Sequence, residues 1–168
     1  MKKLLAMTLC LLALLALCAC TPAQTENGKK NDPYVFKTGK VTIAVDADLA
    51  PIVEALGEPI NYAEAPSCAH TGTSKYYTYA GIDIESYPDG KKDRVYIVAL
   101  IDDSVATAEG IRVGDTRDEL LEVYGEPMSS SEKTYVYEAE GMYLKFIMTS
   151  NGKQISQIQY MHADAIDG

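Results

Sequence analysis

The sequence predicts an α+β protein in which a short helix followed by an antiparallel three-stranded meander occurs twice. The helix ending "IVEALGEP" at residues 52–59 returns as "LLEVYGEP" at residues 120–127. Apolar residues before each ending have helical spacing, and alternating strand-like runs follow it. One unit could not bury both its helix and its sheet well. We therefore expect one domain with a joined sheet and both helices on one face.

The first predicted helix begins at Asp48, a residue type that caps helices by accepting a backbone hydrogen bond. Gly57 can adopt the left-handed conformation that ends a helix, and Pro59 prevents continuation. Positions i, i+3, i+4 and i+7 form the expected buried stripe, which comprises Leu49, Ile52, Val53 and Leu56.

The second predicted helix carries a clearer start signal, because Thr116 and Glu119 have the spacing of a capping box. Leu120, Leu121 and Tyr124 should face inward. Gly125 and Pro127 then repeat the stop signal of the first helix.

The strands are predicted from alternating runs and glycine turns. Residues 75–79 correspond to residues 133–137, and further strands are expected at 82–87, 94–101, 142–148 and 154–161. An apolar run precedes each helix, at 40–45 and at 111–113. We predict repeat unit 1 at residues 34–108 and repeat unit 2 at residues 109–164.

The N-terminus has the pattern of an export signal, with Lys2 and Lys3 followed by an apolar run at residues 4–17. The run ends in Leu-Cys-Ala-Cys, which resembles the lipobox of bacterial lipoprotein signal peptides. This resemblance implies a signal peptide at residues 1–19 and acylation of Cys20, since Cys18 follows Leu17 rather than a small residue. Residues 20–33 would then be the lipidated cysteine and a polar tether. The protein would lie in the bacterial cell envelope, outside the cytoplasm and held to a membrane.

The charge of the chain excludes one class of partner. Without Lys2 and Lys3, 13 basic residues face 24 acidic residues, which is a net charge of −11. Such a chain is repelled by phosphate backbones and by anionic lipid, so we expect no nucleic-acid partner. Membrane contact should occur through the acyl anchor.

The tandem pattern "G-[DT]-[ST]…E[LV]…[YL]G.P" resembles the β-lactamase inhibitory protein fold and related single-unit lipoproteins that assist outer-membrane assembly. The stretch at residues 67–125 is similar to a family of bacterial surface lipoproteins. The resemblance implies a fold and says little about activity. In the inhibitor, the concave sheet face grips a protein.

Cys68 is an unpaired cysteine within a stretch of about ten residues that the second unit lacks. His70 could share a face with it and activate the thiol. Such a pair needs a third group to orient the base, the chain has only two His, and i, i+2 pairing is unusual in such enzymes. We therefore favour a small buried apolar role for Cys68, with cross-linking to a partner as a further alternative. Acidic residues do not follow a calcium-loop pattern, and nucleotide and zinc motifs are absent. We therefore expect no catalytic residue, metal or cofactor.

Tyrosine is unusually frequent, with 12 Tyr against no Trp and two Phe. Two pairs lie at equivalent strand positions and are candidate protein-binding residues: Tyr77, Tyr79, Tyr135 and Tyr137. Equally, one tyrosine face could pack under the helices. The leading interpretation is a lipid-anchored binding module that engages an envelope or secreted protein through its open sheet face. The alternatives are a small-ligand or thiol-dependent lipoprotein using a cleft near Cys68 and His70, and a structural envelope-assembly accessory.

Overall fold

The computed structural model describes residues 34–68 and 70–166. Cys20, the signal segment and the tether lie outside the described residues. The chain forms a mainly β structure with two short helices, an α+β arrangement. Strand β1 (Val35–Thr38) pairs with β2 (Val41–Ala44) as a separate two-stranded sheet.

The main sheet is antiparallel, has eight strands and follows the order β3-β4-β5-β6-β10-β9-β8-β7. Its first four strands are β3 (Asn61–Pro66), β4 (Thr73–Tyr79), β5 (Ile82–Asp89) and β6 (Lys92–Leu100). The other four are β7 (Ser129–Ser130), β8 (Thr134–Ala139), β9 (Met142–Met148) and β10 (Ile155–Met161). A 3₁₀ turn follows at Ala163–Ala165. Since β6 pairs with β10, the two halves of the chain meet in the middle of one sheet.

Both predicted helices are confirmed, together with their caps. Helix α1 spans Leu49–Leu56 after the N-cap Asp48, and helix α2 spans Arg117–Tyr124. The capping box of α2 is formed, because Thr116 accepts from the Glu119 backbone and the Glu119 side chain accepts from the Thr116 backbone. Each helix ends at a glycine with positive φ.

The prediction of three strands after each helix is wrong by one, because β3 and β7 add an outer strand to each edge of the sheet. The strand expected at residues 111–113 is also not formed. Ile111 is buried instead in a tight loop, where its carbonyl accepts from the Thr107 backbone and its amide donates to the Thr107 hydroxyl. These two bonds satisfy the backbone of Ile111 without a partner strand.

One side of the main sheet carries the core. Leu49 and Ile52 of α1, Leu120 of α2, and Phe36 and Ile43 of the β1–β2 pair all belong to the same buried cluster. The sheet contributes every second residue of its strands, namely Tyr79, Ile82, Ile84, Val98, Leu100, Tyr135, Tyr137, Leu144, Phe146, Ile158 and Tyr160. Both helices and the two-stranded sheet therefore pack on this side, which we call the core face.

The residues between those core positions define the opposite side, which we call the open face. Cross-strand pairing aligns them in two rows. The first row consists of Thr78, Asp83, Ala99, Gln159, Lys145 and Val136. The second row consists of Tyr76, Glu85, Ile97, Met161, Tyr143 and Glu138.

Candidate binding face

The four tyrosines proposed as protein-binding residues lie on the wrong side of the sheet for that role. Tyr79, Tyr135 and Tyr137 are 8%, 6% and 5% exposed and belong to the core cluster, and Tyr77 packs against it. Side chains on one strand face share one environment, and here that environment is the space under the helices. The prediction that they contact a partner is corrected: they are packing residues.

The hydroxyls of two of these tyrosines bond to the helix ends. Tyr137 donates to the Gly125 carbonyl at 3.0 Å, and Tyr79 donates to the Gly57 carbonyl at 3.4 Å. Each bond satisfies a carbonyl beyond the last helical turn, where no intrahelical donor is available. Burial raises the pKa of Tyr137 to about 12, with a further contribution from nearby Tyr34. The hydroxyl therefore remains a donor at neutral pH.

A depression of about 240 Å³ lies on the open face across β4, β5, β6 and β10. Its floor is low because Ala99, a small residue, stands between Asp83 and Gln159 in the first row. Ile97 and Tyr76 contribute apolar surface from the second row. The depression thus combines an apolar floor with polar groups at its edge, as binding pockets do.

Two carboxylates of β5 line this depression. Asp83 and Glu85 are two residues apart and face the same side, so their Cα atoms are separated by about 7 Å. In the part of the chain that the structure describes, Asp83 Oδ1 is buried without a hydrogen-bond partner, whereas Glu85 Oε1 accepts from the Tyr76 hydroxyl at 3.1 Å. Burial raises the pKa of the Glu85 carboxyl, and the bond from Tyr76 opposes that shift.

A β-bulge lies next to the depression. Glu85 pairs with Ile97 while Ser86 pairs with Val95, so Tyr96 is an extra residue in β6. Tyr96 contacts both histidines of the chain, with ring centroids 5.5 Å from His70 and 5.9 Å from His162. Tyr87 stacks on His70 at 4.4 Å. These ring contacts pack His70 against Tyr87 of β5 and Tyr96 of β6.

The expectation of a buried Cys68 is wrong, because the residue is exposed. Within the described residues it makes no hydrogen bond to His70, whose Nε2 is buried without a partner. Cys68 follows β3 in the loop that leads to β4, the strand that contributes Tyr76 to the depression. His70 stacks on Tyr87 of β5, two residues from Glu85, which places the imidazole next to the depression.

The described residues contain no group of three or more His, Cys, Asp and Glu side chains arranged to hold a metal ion.

The sequence-based prediction of site residues did not include Asp83 and Glu85. The signal was the alternation "IDIE" at residues 82–85, in which acidic residues take every second position of a buried strand.

Comparison with known proteins gives one informative match. No protein-family model and no curated protein matches the sequence. A solved structure described as an extracellular protein containing an SCP domain, from Bacillus anthracis, matches with a TM-score of 0.55 and 10% identity. The match covers 73% of this chain and 45% of the other, less than half its length. It supports the fold alone.

Within the described part of the chain, no helix has the length and apolar character needed to cross a membrane.

Proposed function

We propose that this protein is a non-catalytic binding module, held to a membrane by acylated Cys20, that engages an envelope or secreted protein through its open face. The observation that carries the proposal is the division of the sheet: both helices and the β1–β2 pair cover one face, and the other presents a depression with an apolar floor. Exposed apolar surface with polar groups at its margin is typical of interaction sites.

We further propose that the two halves are copies of one unit, as in the β-lactamase-inhibitory-protein-like tandem fold. Two features support this. The N-caps of both helices bridge to the last strand region of their own half, Asp48 to Arg94 and Thr116 to Gln154. In each half, a β-strand tyrosine also bonds to the glycine that ends the helix.

A location outside the cytoplasm is consistent with the resemblance to a lipobox and with the description of the structural match as an extracellular protein. An acyl anchor gains about 0.8 kcal/mol for each buried CH₂, so two or more chains hold a protein stably on a membrane. The binding face would then work close to that membrane.

The test is quantitative capture of proteins from envelope extract by the mature protein purified in detergent. Gln159→Arg places a charged side chain in the middle of the open face. Val123→Arg adds the same side chain on α2, where Val123 is 42% exposed. The proposal predicts a saturable partner that is retained by the α2 variant and lost by the open-face variant. Equal capture by both variants would contradict it.

The exposure of Cys68, in the loop that leads to the strand of Tyr76, supports a second candidate, a thiol-dependent small-ligand protein. Labelling with a thiol reagent tests it. If His70→Asn slows labelling of folded protein by about tenfold, the imidazole activates the thiol and this candidate gains support. An unchanged rate would leave Cys68 as an ordinary exposed thiol.

A further inference from the structure

We propose that the depression on the open face receives a basic side chain, lysine or arginine, presented by the protein partner. This inference rests on the proposed function and names the chemistry of its recognition. Three observations support it: the volume of the depression, the hydrogen-bond acceptors that line it, and two carboxylates that form no salt bridge within the described residues.

The lining offers hydrogen-bond acceptors. Asp83 Oδ1 is buried and has no hydrogen-bond partner among the described residues, although a buried carboxylate oxygen without one is costly. Gln159 donates its amide N–H to Gln157 Oε1 at 3.0 Å, which leaves its own carbonyl oxygen as an acceptor. The Tyr76 hydroxyl is already engaged with Glu85. An occupant with several N–H donors would satisfy this set.

The charge balance around Asp83 and Glu85 favours a cationic occupant. Within residues 34–68 and 70–166, neither Asp83 nor Glu85 takes part in a salt bridge. Lys145 lies in the same row as Asp83 but three strands away, which is about 14 Å at the usual strand spacing. The half of the open face that contains β4, β5 and β6 therefore carries uncompensated negative charge. Burial raises the pKa of the Glu85 carboxyl, and no cation among the described residues opposes that shift.

The volume favours a side chain over a free ligand. The depression measures about 240 Å³. Pockets for drug-sized molecules usually measure roughly 300–1,000 Å³. The apolar floor of Ile97 and Ala99 suits the methylene stem of lysine or arginine, while the carboxylates lie where the charged head would reach.

The experiment is a titration of the mature protein, purified in detergent, with the peptide acetyl-Gly-Gly-Arg-Gly-Gly-amide. A peptide with citrulline in place of arginine keeps the shape and removes the charge. Amide resonances of the ¹⁵N-labelled protein report where binding occurs. We expect saturable shifts at β5, β6 and β10 with the arginine peptide and none with the citrulline peptide.

Three variants and one control define the site. Asp83→Asn and Glu85→Gln remove charge at constant shape, and Ala99→Leu fills the floor without touching charge; each should weaken binding by about tenfold or more. Glu138→Gln removes an exposed carboxylate at the far end of the second row and should leave binding unchanged. Equal weakening by Glu138→Gln, or equal binding of the citrulline peptide, would overturn the inference.

Failure of this inference is distinguishable from failure of the proposed function. If Gln159→Arg abolishes capture of a partner from envelope extract while Asp83→Asn and Glu85→Gln do not, the open face binds protein. The inference that a basic side chain occupies the depression is then wrong. If free arginine amide binds as tightly as the peptide and no variant affects capture, the depression is a small-molecule site and the proposed occupant is wrong.

Discussion

Tyr137 and Tyr79 occupy strand positions that the sequence predicts, on a sheet face that the sequence does not predict. Alternation within a strand predicts which residues share a face, but it does not say which face meets the helices. The sequence thus predicted that the tyrosines share one face, but it did not predict which face of the sheet that is. The structure places it on the core face, where the hydroxyls of Tyr137 and Tyr79 bond to the helix ends.

Tyr137→Phe should lower the free energy of unfolding by about 1 kcal/mol, because it leaves the Gly125 carbonyl without its donor. Tyr79→Phe should cost less, since its bond is longer at 3.4 Å. Urea denaturation measures both effects. Tyr143→Phe, on the open face, is the control and should change little. Equal effects of all three substitutions would contradict a stabilising role for the two tyrosine–glycine hydrogen bonds.

Glu85→Gln should raise the free energy of unfolding at pH 7 by a small amount. Burial raises the pKa of Glu85 in the folded protein, so stability linked to this group is full in acid and is lost as pH rises. The variant cannot ionise and avoids that loss. Its advantage should vanish below about pH 4, where Glu85 is protonated in both states. Urea denaturation at several pH values checks this; a less stable variant at pH 7 would contradict it.

Helices and outer strands differ in how far local sequence specifies them. The helices were predictable to the residue, because caps and glycine stops are local signals. Strand β3 was missed because its residues are largely exposed and carry no buried alternation; pairing with β4 creates it. Residues 111–113 look like a strand, yet the hydrogen bonds of Thr107 hold Ile111 in a loop.

Gly125→Ala should lower the free energy of unfolding by about 1 kcal/mol, because φ is 72° at this position and an L-residue is strained there. A Cβ at Gly125 would meet no atom within 4 Å, so the cost comes from the backbone alone. Thermal or urea denaturation measures it. Glu126→Ala, at the exposed neighbour, is the control. A neutral Gly125→Ala would show that the helix stop tolerates other residues.

Across the whole molecule, the joined sheet follows from the repeat in the sequence, but the binding chemistry does not. Asp83 and Ala99 come from the consecutive strands β5 and β6, whereas Gln159 comes from β10 in the other half of the chain. Their alignment in one row depends on the register of β6 against β5 and β10, including the bulge at Tyr96 of β6. No local pattern encodes that register, so the depression could not be predicted.

The proposed anchor lies outside the described residues and is tested in the cell. Cys20→Ser should abolish incorporation of labelled palmitate and release the protein from the membrane fraction, because it removes the acyl acceptor. Cys18→Ser is the matched control and should leave both properties intact. Incorporation that depends on Cys18 instead would move the start of the mature chain.

The most direct measurement of how this molecule binds is site-specific photocrosslinking in intact cells. A photoreactive amino acid is placed at Gln157 on the β10 open face, or at Val123 on α2 behind the core face. Binding through the open face predicts a discrete crosslinked protein from position 157 and none from position 123. A discrete product from position 123, with none from position 157, would show that the helices and not the open face of the sheet meet the partner.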